Sequence, residues 1–103
     1  MQLNRIRVQL LVKSMPNEMY ARCQVWPGIF DTEVYVILGE ISALVDKSNV
    51  KLDHPLNGSH VPGSVLVYMV DIQEPNRALV ELPGQAVVGG LRTWVSRDEL
   101  TAA

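Results

Sequence analysis

The stretch Ser64–Gly84, S-V-L-V-Y-M-V-D-I-Q-E-P-N-R-A-L-V-E-L-P-G, constrains the fold of this chain more than any other. Val, Ile, Leu and Tyr recur at alternate positions, which suits a pleated surface buried on at least one side. Glu74-Pro75-Asn76 interrupts the alternation with turn chemistry, and Pro83-Gly84 ends it, so the segment reads as a β-hairpin.

Similar punctuation runs through the remainder. In Arg5–Lys13 the residues Ile6, Val8, Leu10 and Val12 share one face, and Arg5, Arg7, Gln9 and Lys13 share the other. A turn over residues 14–18 leads to a return strand, Met19–Trp26, stopped by Pro27-Gly28, and Ile29-Phe30-Asp31 makes a bend. Thr32–Leu38 and Ile41–Val45 form a second hairpin around Gly39-Glu40, whose leading glycine fits a type II′ turn. Residues 46–50 and 96–100 are each long enough for one helical turn, for which Asp46 and Asp98 are candidate caps. Lys51–Gly63, with two prolines and two glycines, reads as a connecting loop, as does Gln85–Gly90, and Leu91–Val95 reads as a strand.

Order and composition suggest that the chain says one thing twice, in halves 4–50 and 64–100 joined by 51–63. Ile6, Val8 and Leu10 fall on Val65, Val67 and Met69, and Pro16-Asn17 falls on Pro75-Asn76. Ala21, Cys23 and Val25 fall on Ala78, Val80 and Leu82, with Trp26 as an inserted residue, and Val45–Val50 falls on Val95–Leu100. Neither half buries its apolar face alone. The expected fold is therefore all-β, a single domain closing as a small SH3-like barrel or a two-sheet sandwich of two tandem repeats.

Bulk properties narrow the function classes. The chain has 103 residues, 48 % hydrophobic and 19 % charged, which suits a folded domain with its own core. A net charge of −2 gives no general attraction to nucleic acid or to an anionic membrane. The single cysteine forms no internal disulfide, no secretory signal is recognisable, and no apolar run reaches spanning length. A reducing, cytoplasmic compartment and no membrane partner are expected.

Two resemblances attach to particular residues. Ala78-x-Val80-x-Leu82-Pro83-Gly84, a following glycine, a basic residue, Trp94-Val95 and Leu100 resemble the endings of small uncharacterised bacterial proteins of the kind carried on mobile gene cassettes. That likeness covers about the last quarter of the chain and implies no activity. Pro62–Tyr68 is similar to the pore-lining strand of plasmid-borne type II dihydrofolate reductases, which are SH3-like barrels. In that family a glutamine, an isoleucine and a tyrosine contact the ligands. Here Leu66, Val67 and Tyr68 stand in those places, and the orienting amide is lost.

No residue pattern assembles a catalytic centre, and no cofactor or metal is expected. His54 and His60 share a loop with Asp53 at a spacing that matches no zinc motif. Cys23, between Ala21 and Val25, reads as core. The carboxylates of Asp31, Glu33, Glu40, Asp46, Asp71 and Asp98 are scattered. Arg5, Arg7, Arg22 and Trp26 make a basic and aromatic strand face that is the candidate nucleic-acid surface, against an acidic overall balance.

The remaining anomaly is apolar. Leu66, Tyr68, Val70 and Ile72 lie opposite Val65, Val67 and Met69 on their strand, and Leu79 joins them from the partner strand. A sheet apolar on both faces needs cover on both, from the Gly39-Glu40 hairpin or from a second chain. Those five residues are the expected interface of a homo-oligomer, with a dimer favoured, or of a protein partner. The functional expectation is a non-catalytic β module acting by self-association or protein binding. The alternatives are a small-molecule cleft between subunits, with Tyr68, Asp71 and Arg77 as its polar groups, and weak nucleic-acid binding.

Overall fold

A computed structural model describes residues 17–103; the expected strand Arg5–Lys13 and the arginines Arg5 and Arg7 lie outside the described residues. The described chain is all-β: nine strands of one antiparallel sheet, curled into a half-barrel, with two 3₁₀ turns and no longer helix. The strands are β1 Glu18–Pro27, β2 Glu33–Leu38, β3 Ile41–Asp46, β4 Val50–Leu52, β5 Val61–Gln73, β6 Arg77–Glu81, β7 Gln85–Val88, β8 Arg92–Ser96 and β9 Leu100–Ala102. The 3₁₀ turns, Lys47–Asn49 and Arg97–Glu99, precede β4 and β9. The described residues form one curled sheet, compatible with a small barrel. No helix among the described residues is long and apolar enough to cross a membrane.

Alternation places the core on the concave side. Ala21 and Val25 of β1, Val34, Val36 and Leu38 of β2, Ile41, Ala43 and Val45 of β3, Val65 and Val67 of β5, and Ala78 and Val80 of β6 are all buried. Leu82 and Val95 complete the same cluster. β-Branched side chains dominate because both sides of the curl converge on a narrow interior, where compact residues with few rotamers pack densely.

Strand order is β7-β3-β2-β1-β5-β6-β8, with β4 beside β5 and β9 beside β1. The two long strands β1 and β5 pair antiparallel at the centre, from Glu18↔Tyr68 to Val25↔Val61. Each carries two shorter strands in series on its outer edge. β1 holds β9 over Met19–Ala21 and β2 over Gln24–Pro27, and β5 holds β4 over Gly63–Val65 and β6 over Tyr68–Gln73.

One two-fold pattern generates these pairings. Val25↔Val36 matches Met69↔Val80, Val34↔Val45 matches Ala78↔Val95, and Ala21↔Leu100 matches Val65↔Val50. The pair Ala21↔Val65 maps onto itself and marks the centre. Backbone hydrogen bonds repeat as well: Lys47 N–H donates to the Thr32 carbonyl and Arg97 N–H to the Asn76 carbonyl, both at 2.9 Å. The register thus relates β1 to β5 and β2 to β6, so Ala21 corresponds to Val65 and not to Ala78 as the sequence suggested. The matching of Val45–Val50 with Val95–Leu100 is the one seen in the pairing.

Several local expectations change. Lys51–Leu52 and Val61–Gly63 belong to strands, because β4 turns back on β5. Gln85–Val88 is strand, seated on β3. Trp26 sits in unbroken register opposite Tyr35, and the bulge lies instead in β5 between Met69 and Asp71. Asp46 caps the first 3₁₀ turn, accepting from Ser48 N–H at 2.9 Å, but the second is capped by the Ser96 hydroxyl, with Asp98 inside the turn. The Gly39-Glu40 turn forms as expected, with Gly39 at φ 57° and its other central residue at negative φ.

β7 reaches β3 through Gly84, whose φ of 119° only glycine adopts readily, and a Cβ there would lie 2.3 Å from the Leu44 carbonyl oxygen. Gly58 has a φ of 86° and open space around it. Gly58→Ala is therefore expected to cost about 1–2 kcal/mol of backbone strain, and Gly84→Ala clearly more. Urea denaturation of the two variants checks this; equal losses would mean that β7 is not seated against β3.

Candidate functional site

The convex face carries the residues that the core leaves over. On β1 these are Tyr20, Arg22, Gln24 and Trp26, and on β2 they are Tyr35 and Ile37. Trp26 lies directly opposite Tyr35, an aromatic cross-strand pair of the kind that stabilises a sheet surface. The chain then leaves β1 through Pro27-Gly28 and doubles back, because Gly28 lets the Glu33 carbonyl approach to where a Cβ would be 2.3 Å away. Glu33 N–H donates to the Phe30 carbonyl at 3.2 Å and closes the bend.

That bend holds Ile29 and Phe30 out in solvent, 80 % and 66 % exposed. Beside them Trp26, Pro27, Gly28, Ile29, Tyr35 and Ile37 line an open cleft of about 550 Å³. His60 stacks on the Trp26 ring, with centroids 4.5 Å apart and planes at 28°. The lining offers no carboxylate, amine or thiol. Such a surface contributes apolar contact area and shape.

The expected interface on β5 is divided by the bulge. Leu66 and Tyr68 lie on the convex face, and Leu79 joins them opposite Asp71. Val70 is the extra residue of the bulge, so the alternation reverses after it and Ile72 stands opposite the buried Ala78, on the core side. Val70 and Ile72 are 41 % and 46 % exposed near the hairpin tip, where the core ends. The five residues thus form no single face. The Gly39-Glu40 turn approaches Thr93 of β8, from which a Cβ on Gly39 would be 3.7 Å, and of the five residues it shares a cleft with Leu79.

The polar candidates are engaged separately. Asp71 Oδ1 accepts from Ile72 N–H at 2.8 Å, satisfying a donor that the bulge would otherwise strand. The Arg77 guanidinium lies over the Trp94 ring, 5.4 Å from its centre. Tyr68 stands opposite Glu81. The three share the convex face without converging. Val67, at the middle of the reductase-like run, is fully buried, so Leu66, Val67 and Tyr68 line no common surface.

Arg22 and Trp26 do share a face, as a nucleic-acid surface requires. Arg22, however, forks onto Asp53 at 2.7 and 3.2 Å and donates to the Ser64 hydroxyl at 3.2 Å. That hydrogen-bonded pairing holds the Asp53 carboxyl below the usual carboxylate range. It also occupies the cation that phosphate would need. Lys51 is placed over the Tyr20 ring at 4.1 Å. Among the described residues no group of three or more His, Cys, Asp or Glu side chains is placed to hold a metal.

The bend at Ile29-Phe30-Asp31 is where the sequence places it; what sequence reading missed is the exposed apolar surface that the bend displays. Ile29 and Phe30 follow a strand stop, where polar residues are the rule, and apolar residues in a turn were the available signal. His60, exposed on its loop, also stacks on Trp26.

Cys23 is mostly buried beside the core, and desolvation pushes its thiol up to about 12, outweighing the nearby Arg22 cation. The folded state therefore disfavours the thiolate. This contribution to stability is complete below the unfolded thiol pKa near 9 and is lost as pH climbs toward 12. Iodoacetamide is expected to label native protein at pH 8 at least tenfold more slowly than urea-unfolded protein, as followed by mass spectrometry. Equal rates would show a reactive thiol. The chain matches no family model, no curated protein and no solved structure.

Proposed function

We propose that the chain is a non-catalytic β module that acts by self-association, and that the contact is the Trp26 cleft with Ile29 and Phe30. The observation that carries this reading is the exposure of those two side chains, at 80 % and 66 %, beside an apolar cleft of about 550 Å³. A two-fold contact lets the bend of one copy enter the cleft of the other, since an isologous interface uses the same patch twice. The single, partly buried free thiol suits a reducing compartment.

Magnitudes set the expected strength. Burying a large apolar side chain is worth about 1.5–3 kcal/mol, so two copies of Ile29 and Phe30 supply roughly 6–12 kcal/mol before costs. Trp26 and Tyr35 add contact area, and association itself costs about 4–15 kcal/mol. Gain and cost are of similar size, so the dimer is weak and reversible.

Sedimentation velocity over increasing concentration tests it. Wild-type protein is expected to move from monomer to dimer as concentration rises from micromolar to millimolar, and Phe30→Asp to remain monomeric with an unchanged melting temperature, because Phe30 contributes little to the core. A wild type that stays monomeric at millimolar concentration, or a Phe30→Asp variant that dimerises equally, would refute the proposal.

A further inference from the structure

The two-fold pattern of strand pairing is broken in one place. β3 carries β7 on the edge facing away from β2. β8 holds in the second half the position of β3 in the first, since Val34↔Val45 matches Ala78↔Val95 and Val36↔Ala43 matches Val80↔Thr93. Among the described residues, the edge of β8 facing away from β6 carries no strand. The same architecture therefore holds a strand at this position once and leaves it open once.

An open edge turns backbone N–H and C=O groups outward and templates a further strand. This edge also has chemistry beside it. A cleft of about 440 Å³ between β8 and the Gly39-Glu40 turn is lined by Arg77, Leu79, Arg92, Thr93 and Trp94 as well as the turn itself. Leu79 and Trp94 are direct cross-strand partners and form its apolar part. Arg77 lies on the Trp94 ring and, among the described residues, has no carboxylate partner. Arg92 donates through Nε to Glu81 at 2.7 Å, which leaves its terminal N–H groups for other acceptors. Glu40 is the acidic residue of the lining.

We propose that the open edge of β8 is a peptide-binding site, taking an acidic, extended segment of a protein partner as an added strand. The added backbone completes the ladder, and carboxylates on alternate residues reach Arg77 and Arg92, where fork-shaped guanidinium groups bind them well. Charge selects this occupant over two others. Residues 5–13 carry Arg5, Arg7 and Lys13 and no carboxylate, and antiparallel pairing of two β8 edges about Trp94 would set Arg92 of each copy beside Ser96 of the other, on the side of Arg77.

The site is separate from the Trp26 cleft, so the two readings stand or fall apart. The test uses the full chain, isotope-labelled, with two probes: an acetylated, amidated heptapeptide alternating glutamate with valine, and the same peptide with lysine for glutamate. The glutamate peptide is expected to shift and protect the amides of Thr93–Val95 and the Trp94 indole. It should bind at least tenfold more tightly than the lysine peptide, and more weakly as salt is raised. Arg77→Glu, an exposed substitution whose melting temperature should match wild type, is expected to abolish the preference, whereas Phe30→Asp should leave it intact. Equal binding of the two peptides, or silence at β8 with both, overturns the proposal. So does a β8 edge already protected in the free protein, which would place residues 1–16 or a second copy there.

Discussion

The antiparallel pairing of β1 with β5, centred on Ala21 and Val65, is the constraint on which the described structure depends. Both residues are fully buried, and each strand is long enough to hold two partners end to end on its far edge. Without the central ribbon, β4 and β9 would each be three residues of chain with little to pack against, too short to persist alone. The ribbon also brings the C-terminal strand to the N-terminal half, because β9 pairs with β1 across most of the chain length.

Symmetry of pairing without identity of side chains explains how the two ends of the sheet differ. Tyr35 opposite Leu44 in the first half corresponds to Leu79 opposite Trp94 in the second, so both convex patches are apolar. The excursion Leu82–Leu91, tied at its neck by a Leu82 N–H to Leu91 carbonyl hydrogen bond of 2.8 Å, exists only in the second half. It delivers β7 across to β3 and so seals one edge of the curl. The opposite edge, beside Arg77 and Arg92, carries no further strand among the described residues. One insertion thereby turns a symmetric scaffold into one with two unlike surfaces.

Polar groups on the convex face are largely matched to one another. Arg22 with Asp53, Arg92 with Glu81 and Arg97 with Glu74 are exposed pairs, worth little to stability individually. Their effect is on recognition: they neutralise most of the described arginines and leave Arg77 as the exception. The apolar surface around Trp26 is distinct because nothing in the described chain covers Ile29 and Phe30. The buried Ser42 hydroxyl has no hydrogen-bond partner among the described residues.

Local chemistry in the sequence determined the all-β class, most strand and turn positions, and the inward set Ala21, Val25, Val65, Val67, Ala78 and Val80. Alternation and turn residues act over a few positions and are legible one segment at a time. Tertiary structure alone decided which strands meet. The bulge at Val70 is a mismatch between two strands, so its reversal of Ile72 cannot be seen in either strand alone. Likewise β7 is strand only because β3 offers it an edge, and the true two-fold matching of β1 with β5 is a property of register. Partner and register depend on residues distant in the chain, and the exposure of Ile29 and Phe30 depends on where the rest of the described chain packs.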